Sequence, residues 1–179
     1  MAVKITYFVH GTTMDNENGL STGQAQGELS TLGIKQSQEL PNQIKAKDFH
    51  IVFCSDLKRA VDSATISFGG KFKIIQDKRL RECNYGQLNQ AHEEKVKYEN
   101  HIEALFPKGE SLKDVEKRVK NFLLFLRKNY DGKHVAIVAH KSTQIALEVL
   151  INGKTWKHGI AEDWRIKKAW QPGWKYLLE

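Results

Sequence analysis

Two histidines in this chain directly follow apolar segments that are typical of buried strands. His10 comes after residues 3–9, and His140 comes after residues 135–139. The carboxyl ends of parallel strands meet at one edge of a sheet, and α/β proteins bind ligands there. We therefore expect both imidazoles at the same edge. A single histidine at a strand end is usually structural, so the pair is the stronger indication of a site.

Four further polar side chains fall in segments that flank this edge. Arg59 lies in the first turn of a helix after the second predicted strand, and Glu82 lies in a loop after the third. Asn16 and Thr22 belong to the polar, glycine-containing loop after the first histidine. Cleavage of a phosphate ester needs a nucleophile, cations or N–H donors around the phosphoryl oxygens, and an acid for the leaving group. The histidines and these four residues supply all three kinds of group.

Strand-like and helix-like segments alternate along the chain, which predicts an α/β fold. We expect a three-layer sandwich in which a mostly parallel central sheet is flanked by helices, formed by a single domain over residues 1–179. Pro41 should end or kink the first long helix, because proline lacks an N–H and crowds the preceding turn. The predicted strands cover residues 3–9, 51–53, 72–75 and 135–139, and the predicted helices cover residues 30–44, 55–68, 93–105, 111–126 and 142–151.

The composition indicates a globular protein with a basic balance. Of its 179 residues, 40% are hydrophobic and 27% are charged, and the net charge is +7. A basic surface attracts anions such as phosphate esters and nucleic acids. The lysines are spread along the chain among acidic residues, which argues against nucleic acid as the partner. We expect a small phosphorylated substrate; the pattern predicts no oligomeric state.

The cysteines and the hydropathy of the chain indicate the cellular compartment, and the spacing of possible ligands indicates whether a metal is bound. Cys54 and Cys83 cannot form a disulfide framework, which favours a reducing compartment. The N-terminus is too short and polar before the first strand for a signal peptide, and no run of 18 apolar residues indicates a membrane span. We therefore expect a cytoplasmic protein. The sequence shows no metal-ligand spacing and predicts neither a metal nor a cofactor.

Six blocks, in order along the chain, resemble those of the histidine phosphatase (phosphoglycerate mutase-like) superfamily, and the short length resembles its phosphatase-type members. Any one block would be unspecific, but their joint order is a strong indication. The blocks are His10-Gly11-Thr12 with Asn16, Leu29-Ser30-Thr31-Leu32-Gly33 with Gln36, Ser55-Asp56-Leu57-Lys58-Arg59-Ala60, Leu80-Arg81-Glu82 with Tyr85-Gly86, Gly109-Glu110-Ser111 with Arg118, and Val138-Ala139-His140.

This resemblance implies a metal-independent phosphomonoesterase that hydrolyses a small phosphorylated metabolite. His10 would be the nucleophile that becomes a phosphohistidine. Glu82 would protonate the leaving oxygen and then activate water, and an anionic phosphate beside it favours the protonated acid. The phosphoryl group would be held by the other matching positions, which are Arg59, His140, Asn16, Thr22 and the backbone of Gly23.

The chain departs from the family pattern at three places. The pattern has arginine immediately before the nucleophilic histidine, and Val9 stands there, as though one residue had been dropped from the strand. A one-residue deletion changes which face of the sheet each side chain occupies. Either the strand adjusts its register before His10, or His10 is displaced. Loss of one strong transition-state donor costs on the order of 10²–10³ in rate. Lys141 replaces a common glycine and would either swing a cation into the site or point to solvent. Asn89-Gln90 replaces an acidic residue and glycine.

These departures leave other functions open. The chain would be a catalytically impaired phosphate-binding or regulatory homologue if the missing arginine disables it. A phosphohistidine-protein phosphatase is a further alternative. A phosphoglycerate mutase is less favoured, because a mutase must protect its phosphohistidine from water with segments that this chain lacks. Specificity should come from residues 84–108 and from the tryptophan-rich tail, in which Trp164 and Trp170 either cover the pocket or pack the last helix.

Overall fold

The computed structural model describes residues 1–44, 48–166 and 173–179. Within these ranges, no helix combines the length and apolarity that a membrane span requires. In chain order the elements are β1 (Val3–Val9), α1 (Met14–Glu17), β2 (Leu20–Ser21), α2 (Thr31–Ile44), β3 (Ile51–Cys54), α3 (Lys58–Phe68), β4 (Ile74–Gln76), β5 (Ala91–His92), α4 (Leu112–Asn129), β6 (His134–Ala139), α5 (Lys141–Leu150), α6 (Trp156–Ala161) and β7 (Trp174–Leu178).

Five strands form one sheet in the order β4-β3-β6-β1-β7. The first four run parallel, and β7 pairs antiparallel with β1 at the edge. The short strands β2 and β5 form a separate antiparallel pair. The sheet is thus mostly parallel, and the predicted α/β class is confirmed.

Helices cover both faces of this sheet, because its central strands are apolar on both sides. Along β6, Val135, Ile137 and Ala139 pack in a cluster with residues of α4, α5 and α6. The alternate residues Ala136 and Val138 pack on the other face with residues of α2 and α3. Side chains of a strand alternate between faces, so a continuous apolar run is what a covered parallel strand requires. The three-layer sandwich is confirmed.

Strand β1 keeps an unbroken register up to the first histidine. Its residues pair one by one with β6, from Lys4 opposite His134 to Val9 opposite Ala139. The His10 backbone N–H then donates to the Ala139 carbonyl at 3.0 Å. The slip expected from a residue missing before His10 therefore leaves no irregularity in the pairing, and His10 is brought beside the end of β6.

Pro41 lies inside α2 and does not end it, since the helix continues to Ile44. A proline has no N–H for the carbonyl four residues earlier, which here belongs to Ser37. That carbonyl instead accepts a hydrogen bond from the Ser67 hydroxyl of α3 at 2.8 Å. The neighbouring helix thus satisfies the group that proline leaves without a partner, and the expectation that the helix would end at Pro41 was wrong.

The predicted charged helix over residues 93–105 was also wrong. This segment forms two short 3₁₀ turns, Glu93–Lys95 and Tyr98–His101. Between them Lys97 has an extended backbone with ψ 100°. The extension lets the Tyr98 ring reach the core, where its hydroxyl bonds to Tyr85 at 2.7 Å. Tertiary contacts of one buried tyrosine therefore override the weak helical preference of the charged residues.

Several element boundaries differ from the predictions. The polar loop after β1 contains the short helix α1, whose first turn is closed by a capping box between Thr13 and Asn16. Helix α3 begins at Lys58 rather than Ser55, and β4 is shifted to Ile74–Gln76.

The tail contains a strand that the sequence analysis did not identify. Trp174 opens β7 and packs at 6.1 Å from the Trp164 ring, while Trp156 is buried and donates to Glu116 at 2.7 Å. Trp156 and Trp174 thus have the packing role expected for tryptophans. Trp170 lies outside the described residues.

Candidate active site

A pocket of about 230 Å³ opens at the carboxyl edge of the sheet, around the end of β1. Seven of the eight predicted site residues line it, and the eighth, His140, lies directly behind His10 with ring centroids 5.1 Å apart. The fold therefore brings the whole predicted set together. The seven lining residues are His10, Asn16, Thr22, Gly23, Arg59, Glu82 and Lys141.

The His10 ring is fixed in the tautomer in which Nε2 is unprotonated. Its Nδ1 lies 2.7 Å from the Gly11 carbonyl, which can only accept, so Nδ1 carries the proton. Its Nε2 therefore holds the lone pair, and it accepts from Arg59 Nε at 3.2 Å. Burial, with the Arg59 charge as the next cause, lowers the pKa of His10 to about 3. The imidazole is consequently neutral at neutral pH, as a nucleophile must be.

The backbone after His10 is held by close packing rather than left open for a ligand. The Gly11 N–H donates to the Ser63 hydroxyl at 3.0 Å. A Cβ on Gly11 would lie 2.5 Å from the Gly33 carbonyl of α2. Glycine is required here because the start of α2 crosses this turn, and the crossing fixes the direction of the His10 ring.

Arg59 joins His10 to the loop after β2. Its side chain is buried, with 2% exposure. Beyond its bond to His10, it donates from Nη1 to the Ala25 carbonyl at 3.1 Å and from Nη2 to the Gly23 carbonyl at 2.6 Å. The guanidinium thus holds one wall of the pocket and places a positive charge beside Nε2 of His10.

Thr22 and Gly23 of that loop, together with Asn16 of α1, also line the pocket. Thr22 is buried, and its hydroxyl has no hydrogen-bond partner among the described residues. Gly23 has φ +59°, and a Cβ there would lie 1.9 Å from Asn89 Oδ1, so a glycine is needed. The side-chain oxygen of Asn16 accepts from the Thr13 backbone at 3.2 Å, which leaves its NH₂ group for the pocket that it lines.

His140 is fully buried and is held through its backbone. The Tyr7 hydroxyl donates to the His140 carbonyl at 2.7 Å and accepts from its N–H at 2.8 Å. Neither ring nitrogen has a hydrogen-bond partner within the described parts of the chain. Burial, Arg59 and His10 lower the pKa of His140 well below its usual value. A buried imidazole without partners beside His10 is suited to a polar ligand, because such groups are costly to leave unpaired.

Glu82 lies on the opposite wall with one oxygen anchored. Its Oε1 accepts from the Cys83 N–H at 2.8 Å, from the Tyr98 hydroxyl at 3.1 Å and from the Ser142 N–H in the first turn of α5 at 3.3 Å. The carboxyl group is buried, with 6% exposure. All three contacts use Oε1, and Glu82 lines the pocket.

Lys141 lines the pocket, and its ammonium forms an ion pair with Asp163. Its ammonium lies 2.7 Å from Asp163 Oδ2 and 4.4 Å from the centre of the Tyr98 ring. Its side chain is 20% exposed, and it lines the pocket. Lys141 therefore points toward the site rather than toward solvent, but Asp163 already pairs with its charge.

Asn89 and Gln90, which depart from the family pattern, form hydrogen bonds that hold the neighbouring backbone in place. Asn89 Oδ1 accepts from the N–H groups of Gln24 and Tyr85, at 3.2 and 3.0 Å. Gln90 has φ 63°, the left-handed region that glycine adopts without strain, and its N–H donates to the Ser21 carbonyl at 2.7 Å. These contacts tie the segment after Glu82 to the loop that carries Thr22 and Gly23.

Sequence reasoning missed Asp163 and Arg165 of the last described segment before β7, whereas Trp164 was expected either to cover the pocket or to pack the last helix. Asp163 is buried, while Trp164 and Arg165 line the pocket beside His10. The segment matches none of the six blocks, and its charges resemble those of an ordinary surface. The one available signal was the presence of an acidic and a basic residue on either side of a tryptophan.

A second cavity of about 470 Å³ adjoins the first. The two share wall residues, among them Tyr85, Glu93, Lys141 and Arg165. The second cavity is large enough for the remainder of a small ester whose phosphate occupies the first. Among the described residues, no group of three or more His, Cys, Asp or Glu side chains is arranged to hold a metal ion.

Known proteins resemble this chain in sequence and in fold. Phosphoserine phosphatase 1 of Hydrogenobacter thermophilus is 28% identical over 172 residues, covering 88% of this chain and 82% of the relative. A 2,3-bisphosphoglycerate-dependent phosphoglycerate mutase of Methylorubrum extorquens is 28% identical over 170 residues, covering 83% and 78%. The alpha-ribazole phosphatase structure from Shigella flexneri superposes with a TM-score of 0.77 at 24% identity, covering 88% of this chain and 84% of that one.

The sequence profile described as "Histidine phosphatase superfamily (branch 1)" matches residues 7–163. The matched span contains all eight predicted site residues and ends at Asp163. The match covers most of the chain and confirms the resemblance that the six blocks indicated. This chain belongs to the histidine phosphatase superfamily, branch 1.

Proposed function

We propose that this protein is a metal-independent phosphomonoesterase that hydrolyses a small phosphorylated metabolite through a phosphohistidine at His10. The observation that carries the proposal is the state of His10. It is a neutral imidazole that lines the pocket, with Nε2 accepting from Arg59 Nε and with the His140 ring, which has no hydrogen-bond partner among the described residues, beside it. Nucleophile, cation and neutral donors are thus assembled around one point, which phosphoryl transfer requires.

In the first step, Nε2 of His10 attacks phosphorus, and the bond from phosphorus to the ester oxygen breaks. Arg59 Nε–H, which now bonds to Nε2, transfers its hydrogen bond to a phosphoryl oxygen as the new N–P bond forms. Thr22, Asn16 and His140 donate to the other phosphoryl oxygens. Glu82, protonated beside the anionic ester, gives its proton to the leaving oxygen, so an alcohol departs.

In the second step, the Glu82 carboxylate removes a proton from a water molecule that attacks phosphorus from the side the alcohol has left. The N–P bond breaks, inorganic phosphate is released, and His10 recovers its lone pair. Glu82 again carries the proton needed for the next cycle. Its bonds from Tyr98 and Ser142 hold the carboxyl group in one orientation through both steps.

The class of substrate is proposed from the second cavity and from the relatives. The alcohol part would extend past Tyr85 and Lys141 into that cavity, whose walls carry both acidic and basic side chains. Phosphoserine and α-ribazole phosphate are suitable first probes, because relatives of this chain bear the names of phosphatases for these compounds. Both are small esters with polar alcohol parts.

An impaired phosphate-binding homologue is the second candidate, and Val9 is the observation that favours it. Val9 lines the pocket without charge, where the family pattern has arginine. Both candidates predict that the protein binds phosphate, but only the phosphomonoesterase is expected to hydrolyse phosphate esters.

Hydrolysis of p-nitrophenyl phosphate and phosphoserine is expected to be unchanged after dialysis against a chelator, because every proposed catalytic group is a side chain. Phosphate release should be measured with and without chelator and again after Mg²⁺ or Zn²⁺ is returned. Activity that disappears with the chelator and returns with metal would contradict the proposed mechanism. Binding of inorganic phosphate without turnover of either probe would favour the impaired homologue.

A further inference from the structure

The cations around His10 are not equally available to a substrate. The Arg59 guanidinium is buried and already donates to His10, Gly23 and Ala25. A phosphoryl group carries about two negative charges at neutral pH, and its charge must be balanced on every side as the transition state forms. With valine at position 9, the strand that carries His10 contributes no charge to the pocket.

Arg165 is the guanidinium on the opposite side of this pocket. It lines both the first cavity, with His10, and the second, with Tyr85. Its side chain is 43% exposed, so its donors are accessible to a ligand. It is near enough to His10 for its charge to contribute to the lowered pKa of that imidazole.

Asp163 contacts two cations of the pocket, Lys141 and Arg165, but not equally. Its buried carboxylate holds the Lys141 ammonium at 2.7 Å but lies 3.8 Å from Arg165 Nε. The Arg165 backbone N–H also donates to the same carboxylate at 3.0 Å, which fixes the start of the side chain. Lys141 is therefore paired and largely buried. The Arg165 backbone is held by Asp163, while its guanidinium lies over the Trp164 ring, 5.7 Å from the ring centre, and stays partly exposed.

We propose that Arg165 binds the phosphoryl oxygens of the substrate and takes the place of an arginine at position 9. The phosphate would lie between two guanidinium groups, Arg59 on the side of β1 and Arg165 on the side of the tail. A guanidinium fits two phosphoryl oxygens at once, which an ammonium cannot do. The proposal deepens the proposed function and rests on it.

The test uses the full-length protein and a compensating pair of substitutions. The variants are Arg165→Ala, Arg165→Lys, Val9→Arg combined with Arg165→Ala, and Val9→Met combined with Arg165→Ala. Arg127→Ala, in the exposed last turn of α4, is the control for loss of one positive charge. Two readouts are taken for each: kcat/KM with p-nitrophenyl phosphate and the Kd of inorganic phosphate.

Arg165→Ala is expected to lower kcat/KM by about 10²-fold and to weaken phosphate binding, with a smaller loss in Arg165→Lys and none in Arg127→Ala. Relative to Arg165→Ala alone, adding Val9→Arg should raise kcat/KM at least tenfold. Adding Val9→Met should not raise it. Wild-type kcat/KM and phosphate affinity in Arg165→Ala would overturn the proposal. Equal recovery with arginine and methionine would also overturn it, because volume rather than charge would then be responsible.

The phosphate Kd keeps this test separate from the proposed function. If the wild-type protein hydrolyses no ester, the proposed function fails, but the Kd values still report whether Arg165 contacts phosphate. If the wild-type protein is active and Arg165→Ala matches it in both readouts, only the role of Arg165 fails.

Discussion

Replacement of His10 by alanine is expected to lower turnover of every phosphate ester by about 10⁴–10⁶-fold, the range seen when an enzyme loses its nucleophile. His140 is not expected to take its place, because its proposed role is to donate an N–H to a phosphoryl oxygen, and a ring nitrogen that carries a proton has no lone pair for attack. The loss should appear in kcat/KM for p-nitrophenyl phosphate and phosphoserine alike, since both need the same first step.

Two controls make the His10 result specific. His50→Ala removes an exposed histidine near β3 and should leave kcat/KM unchanged. Inorganic phosphate should still bind to His10→Ala, because Arg59, Thr22 and Asn16 remain. A His10→Ala protein within tenfold of the wild-type rate would show that another group attacks phosphorus.

Replacement of Glu82 by glutamine is expected to separate the two chemical steps. Glutamine keeps the shape of the side chain and an oxygen that can accept from Ser142 and Tyr98, but it cannot carry a proton to the leaving oxygen. General acid–base catalysis contributes about 10²–10⁴-fold. Hydrolysis of phosphoserine, whose alkoxide needs that proton, should fall by this amount.

The same variant should respond differently to p-nitrophenyl phosphate. Its leaving group is a stable anion and needs no acid, so the first step should stay fast while attack by water becomes slow. Stopped-flow absorbance should show a burst of p-nitrophenolate that approaches one equivalent of enzyme, followed by slow turnover. Equal losses for both substrates without a burst would contradict the role of Glu82. Glu103→Gln, an exposed carboxylate that lines neither cavity, is the matched control.

The central strands of the sheet could be predicted because each corresponds to a simple sequence pattern. β1 was predicted with the bounds that the structure has, and β6 with one residue fewer, since both are continuous apolar runs that end at a histidine. Their parallel pairing then brings His10 to His140 without further information. Arg59 and Glu82 became candidates through their places after the second and third predicted strands, and the family resemblance then strengthened them, because neither position is distinctive alone.

The errors share a physical cause, which is that partners distant in sequence decide the local structure. Pro41 stays helical because Ser67 supplies the donor that proline lacks. Residues 93–105 are not a helix because the Tyr98 hydroxyl bonds to Tyr85 and Glu82. Arg165 could not be identified from the sequence, because its place in the pocket depends on how the tail folds back over the edge of the sheet.

The covalent intermediate on His10 is the central claim, and mass spectrometry of trapped protein tests it most directly. Wild-type protein and Glu82→Gln are mixed with p-nitrophenyl phosphate, stopped within the burst in alkali, which preserves phosphohistidine, and digested for peptide mapping. The account predicts phosphate on the peptide that contains His10, with higher occupancy in Glu82→Gln, where water attack is slow. Release of p-nitrophenolate with no phosphorylated His10 in either protein would contradict it.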